Sequence, residues 1–99
     1  MRGPDGKIVN KLNWDQYTLW QRWDEYPERK NNPPLTVETT FWYDEEKYTV
    51  TSINEKYVIV KQPSFEEVIS SDNFLELVNK PFFKGKTFKE LIDDFWFEI

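Results

Sequence analysis

Apolar residues first recur along the chain at a helical spacing. Trp14, Tyr17, Trp20 and Trp23 stand three residues apart, with Leu19 and Tyr26 beside them, and together make one broad aromatic stripe. Asn13 is placed to accept a first-turn backbone N–H, Gln16 completes a capping box, and Leu12 and Tyr17 hold the positions of a hydrophobic staple. A helix is therefore predicted to begin at Trp14. It ends before Pro27, because the residue preceding proline avoids helical geometry. A polar linker over 28–34 closes on Pro33 and Pro34.

The pattern then changes to short runs rich in Thr, Val and aromatics, the residues that favour strands. Strands are predicted over 36–43, 48–53 and 57–61, with charged turns over 44–47 and 54–56. Turns this short imply antiparallel neighbours, hence a three-stranded meander. In the first strand Val37, Thr39, Phe41 and Tyr43 share the more apolar face, which places Trp42 on the polar one. Gln62 and Pro63 leave the sheet. Ser64 with Glu67 has the spacing of a capping box and predicts a helical turn. Ser71 or Asp72 is expected to cap a second short helix through Asn79, with Phe74, Leu75 and Val78 inward and Pro81 as its stop. Phe82 and Phe83 lead to a turn at Gly85. Thr87 and Glu90 form a further capping box, and Phe88, Leu91, Ile92, Phe95 and Ile99 follow at helical spacing, which predicts an amphipathic helix running to the last residue.

The fold class read from this order is α+β: an N-terminal helix, a three-stranded antiparallel β-meander, then two or three C-terminal helices. One α+β domain is expected over 13–99, after a flexible polar lead-in over 1–12 that carries Gly3, Pro4 and Gly6. Composition narrows the chemistry. Phe, Trp and Tyr make up 18% of 99 residues, enough to give a small domain a heavily aromatic core. There is no Cys, so neither a disulfide nor a thiolate metal site is available. There is no His, so the usual general base at neutral pH is missing, and Ser–His and Cys–His pairs with it. Asp44, Glu45 and Glu46 lack the alternation of a calcium loop. The triplet Gly85, Lys86 and Thr87 lacks the earlier glycine of a phosphate loop, since position 80 is Lys. The carboxylate pairs are expected to be solvated surface. No catalytic residue, cofactor or metal is expected. With no apolar run long enough to span a bilayer and no leader-like stretch, the expected location is the cytoplasm.

The net charge is −5, carried unevenly: ten acids face nine bases over 1–61, and eight face four over 62–99. An acidic surface repels phosphate and suits a basic partner. The expected contact uses Glu66, Glu67, Glu90, Asp93, Asp94 and Glu98 as the field, with Trp96 as the aromatic anchor. The alternative is a single-stranded nucleic-acid binder that stacks bases on Trp42, Tyr48 and Tyr57 beside Lys47, Lys56 and Lys61. In size, charge and lack of catalytic residues the chain resembles the small acidic proteins of phages and bacterial mobile elements, anti-CRISPR proteins among them. That resemblance implies an inhibitor of a basic, nucleic-acid-handling protein, presenting carboxylates where phosphates would sit.

Overall fold

The computed structural model describes residue 6 and residues 8–98. In chain order they form strand β1 (Val9–Asn10), helix α1 (Trp14–Trp20), strands β2 (Thr39–Tyr43), β3 (Glu46–Ile53), β4 (Lys56–Lys61) and β5 (Glu66–Ser71), helix α2 (Phe74–Val78), strands β6 (Pro81–Phe83) and β7 (Lys86–Thr87), helix α3 (Phe88–Leu91) and strand β8 (Trp96–Glu98). Short 3-10 turns cover Trp23–Glu25, Pro27–Arg29 and Ile92–Asp94. Six strands make one antiparallel sheet in the order β1-β8-β2-β3-β4-β5, while β6 and β7 pair separately. No helix among the described residues is long and apolar enough to cross a membrane.

The meander exists because two tight turns suit the twist of the strands they join. Asp44 and Glu45 have φ of 52° and 64°, Asn54 and Glu55 of 52° and 66°. Two successive left-handed residues match the right-handed twist of a two-residue hairpin. Asp and Asn tolerate that region; Glu visits it rarely, so pairing on either side must hold it there. Register follows: Phe41 lies opposite Tyr48, and Val50 opposite Ile59.

The three-stranded sheet flanked by helices is overturned in three places. The Ser64–Glu67 spacing opens no helix. Phe65 adopts φ 60° in a turn, and β5 pairs with β4, setting Ile69 against Ile59. The helix predicted to run from Phe88 to the last residue stops at Leu91. Its Thr87–Glu90 capping box is present, and Phe88, Leu91, Ile92 and Phe95 are buried as the spacing requires. But Phe95 turns extended, and β8 inserts between β1 and β2, with Phe97 buried and Trp96 on the other face. Phe95 fits a helical and an alternating pattern equally, and the open edge of β2 decides for the strand. Ile99, the last member of that stripe, lies outside the described residues. Lastly, α1 ends at Trp20, well before Pro27, with Arg22 left-handed at φ 60°. In α2 the cap is Asn73, not Ser71 or Asp72; its side chain accepts the Glu76 N–H. The lead-in read over 1–12 lies outside the described residues at 1–5 and 7, and Val9 and Asn10 within it pair with Glu98 and Phe97.

One core lies between the sheet and the short helices, and it is largely rings. Phe41 stacks on Phe95 at 4.3 Å between centroids and on Tyr48 at 5.4 Å, with Phe88 edge-on at 5.4 Å. Such pairs add roughly 1 kcal/mol each beyond the area they bury. A small polar network sits among them. Gln21 is fully buried, and its amide donates to the Val37 carbonyl at 2.7 Å and to Thr39 Oγ1 at 3.1 Å, while its Oε1 accepts the Thr36 and Val37 N–H groups at 3.0 and 3.1 Å. Tyr17, also fully buried, shares a hydrogen bond with Thr39 at 3.2 Å.

Two outcomes follow for stability. Phe95→Ala removes a fully buried ring and is expected to cost about 3–5 kcal/mol, whereas Trp42→Ala, on the reverse face, is expected to cost much less. Denaturant melts that rank them equally would place the core on the wrong side of the sheet. The second outcome concerns alkali. Burial raises the Tyr17 phenol well above its ordinary value, with the Thr39 and Gln21 hydrogen bonds opposing the shift. Burial, then Glu46 and Asp44, raises Tyr48 too. A folded-state value above the unfolded one keeps the stabilisation whole below about pH 10 and removes it as pH rises further. Tyr17→Phe should therefore lose stability at neutral pH yet decline less steeply than wild type in alkali. Identical alkaline slopes in urea titrations would contradict this.

Candidate functional site

Three chain segments bring carboxylates to the same end of the sheet. The β2–β3 hairpin carries Asp44, Glu45 and Glu46 at its tip, all exposed. Because Trp96 lies opposite Trp42, Asp93 and Asp94 enter β8 from that same end, again exposed. Glu66 lies opposite Lys61, which lies opposite Tyr48, so the start of β5 also faces this end with Glu66 and Glu67 exposed. From β8 to β5 is four strand spacings, roughly 19 Å. At this rim two exposed groups, Lys61 and Glu46, pair at 3.8 Å, and such pairs hold weakly.

The reverse face of the sheet adjoins this rim with an aromatic row. Trp96, Trp42 and Lys47 are cross-strand neighbours. The Trp42 Nε1 donates to Glu98 at 3.0 Å, Lys47 Nζ approaches the same carboxylate at 3.4 Å, and Lys11 Nζ lies 4.6 Å from the Trp96 ring centre. Lys11 also donates to the Asp93 carbonyl at 3.0 Å. A shallow cavity of about 340 Å³ opens beside Trp42, bounded by Glu45, Glu46 and Gln62.

A second, larger recess of about 450 Å³ lies on the helical side. Its floor is Trp14, Trp23, Tyr26 and Leu75, between Pro27 and Pro33, and its rim carries Arg29, Lys30 and Lys89 against one acid, Asp24. The early end of α1 at Trp20 creates this wall, since the chain beyond it bends back through two 3-10 turns. Trp23 meets Trp14 edge-on at 5.6 Å and Phe74 at 5.4 Å, and its Nε1 donates to the Pro34 carbonyl at 3.0 Å. Asn73 Nδ2 donates to the Asn31 carbonyl at 2.8 Å, tying the turn segment to α2.

Of the acids singled out from sequence, Asp93 and Asp94 stand at the acidic end beside Trp96, with Glu66 and Glu67 at the far side of the same end. The other two serve the fold. Glu90 accepts the Thr87 N–H at 3.0 Å as part of its cap. Glu98, its side chain only 11% exposed, braces Trp42 and Lys47. The hairpin acids 44–46, a charged turn in the sequence that does not fit a calcium loop, are brought to the set by strand pairing. Tyr48 and Tyr57, proposed stacking residues, face the core, where Tyr57 stacks on Phe74 at 5.6 Å. No known protein family, curated protein or solved structure matches this chain. Among the described residues no group of acids is arranged to hold a metal ion.

Proposed function

We infer that this chain is a small acidic protein-binding module that engages a basic, nucleic-acid-handling partner through the acidic end of its sheet. The observation that carries this reading is the arrival of exposed carboxylates from three separate segments, 44–46, 66–67 and 93–94, at one end of one sheet. Acids in a row across strands about 4.8 Å apart present a line of negative charge along a rigid support. That suits a surface built for phosphate, as in the inhibitors that the chain resembles in size and charge. Opposite fields of this kind steer encounter and set orientation. Trp96, half-buried two positions after Asp94, supplies an apolar anchor of the kind that dominates interface energetics. A sequence without His or Cys fits a non-catalytic role, and one without Cys fits a reducing cytoplasmic setting. The nucleic-acid alternative draws less support, because it relied on Tyr48 and Tyr57.

Affinity purification with the wild-type chain from cells of its source is expected to retain a basic protein that duplex DNA displaces. Asp93→Asn with Asp94→Asn should slow association with it roughly tenfold at low salt, and Trp96→Ala should hasten dissociation. A retained protein that binds the Asn variant as fast as wild type, or that DNA does not displace, overturns the reading.

A further inference from the structure

We propose that the recess between α1 and α2 is a second docking site, and that it takes an acidic peptide segment of a partner protein bearing one bulky apolar anchor, prolyl or aromatic. It lies on the helical face, apart from the acidic end of the sheet, and its charge is opposite to that of the chain as a whole. Against a net charge of −5, its rim gathers three cations and one acid. Among the described residues neither Lys30 nor Lys89 enters an ion pair. Lys89 Nζ instead stands 5.0 Å from the Trp14 ring centre, at the mouth of the recess. Solubility does not account for unpaired cations gathered around aromatic rings.

The chemistry of the occupant follows from floor and rim together. Trp14 and Trp23, meeting at 78°, form a corner of two indole planes, a shape that accepts a flat or compact ring better than a flexible aliphatic chain. Carboxylates flanking that ring would meet the cations that line the recess, Arg29, Lys30 and Lys89. The Arg29 Nε already donates to the Asn32 carbonyl at 2.8 Å. The walls are preformed by the Trp23–Pro34 and Asn73–Asn31 hydrogen bonds, so little ordering is needed on binding. A peptide suits the site better than a nucleic-acid strand. Its few carboxylates meet only the local positive rim, whereas a strand extends a phosphate charge every few ångströms beyond it, into the field of an acidic protein whose screening length is about 8 Å at physiological salt.

The test titrates the full chain into a short fluorescein-labelled peptide in which a Phe-Pro pair is flanked by glutamates. Three probes run beside it: the same peptide with lysines for glutamates, the same peptide with Gly-Gly for Phe-Pro, and a labelled single-stranded oligonucleotide. Saturable binding of the first peptide alone is expected, weakening as salt rises. Lys30→Glu and Lys89→Glu, both exposed changes, should each weaken it about tenfold or more, while Asp93→Asn with Asp94→Asn, at the other site, should leave it unchanged. Equal binding of the lysine or Gly-Gly peptide, preference for the oligonucleotide, or indifference to the two Lys changes overturns the proposal. A further outcome also overturns it: concentration-dependent self-association lost in both Lys89→Glu and Phe65→Ala would give the recess to a second copy, whose exposed Phe65 precedes Glu66 and Glu67. Because the acidic end is probed by different variants, either site can fail without the other.

Discussion

The buried amide of Gln21 is the interaction on which the arrangement of this chain turns. An unpaired amide in an aromatic core costs on the order of 1–3 kcal/mol, so its hydrogen bonds to residues 36–39 must form together. They do so only if residues 36–39 run past the end of α1, which fixes where β2 starts. The same contact draws the Gln21 backbone in, since Thr36 Oγ1 donates to its carbonyl. The helix cannot continue in that position, and Arg22 crosses into the left-handed region. Everything from Trp23 to Pro34 is then a detour between two ends already pinned, and this detour forms one wall of the recess.

Much of the fold was legible where local chemistry alone decides. The capping boxes at Asn13–Gln16 and Thr87–Glu90, the meander from Thr39 to Lys61, and the outward face of Trp42 all depend on neighbours close in sequence. What was not legible depends on distant partners. Residues 66–71 and 96–98 become strands because an open strand edge awaits them, and unpaired backbone groups in a sheet need partners. The end of α1 is set by Thr36 and Val37, fifteen and sixteen positions away. The candidate site divides the same way. Asp93, Asp94 and Trp96 are close in sequence and were found together, whereas the hairpin acids join them only through the register of β2 with β8. Lys89 reaches Trp14 across the helical layer, a contact no sequence spacing announces.

The charge of the chain is better understood by place than by sum. Acids cluster where strands end and turns expose them, and Asp44 with Glu45 occupy a backbone conformation that glycine or asparagine would fill more easily. Several cations instead lie over rings: Lys11 at Trp96, Lys47 at Trp42 and Lys84 at Phe83. A core this rich in aromatics cannot cover every ring with apolar neighbours, and ammonium groups on long stems shield the remainder while keeping their own hydration.

The place of β8 has a consequence for how the chain is made. The strand that separates β1 from β2 is formed by residues 96–98, so during synthesis the meander can pair while β1 still has no neighbour to join. Translation proceeds at roughly 5–20 residues per second, which leaves the ring of Phe41 without Phe95 and Phe97 for several seconds. A nascent chain in that interval exposes a bare strand edge and an unfinished core together, the combination that invites pairing with another chain. The exposed acids of the hairpin tip and of β5 lie on the part of the sheet that is already folded then, and like charges on neighbouring nascent chains repel one another.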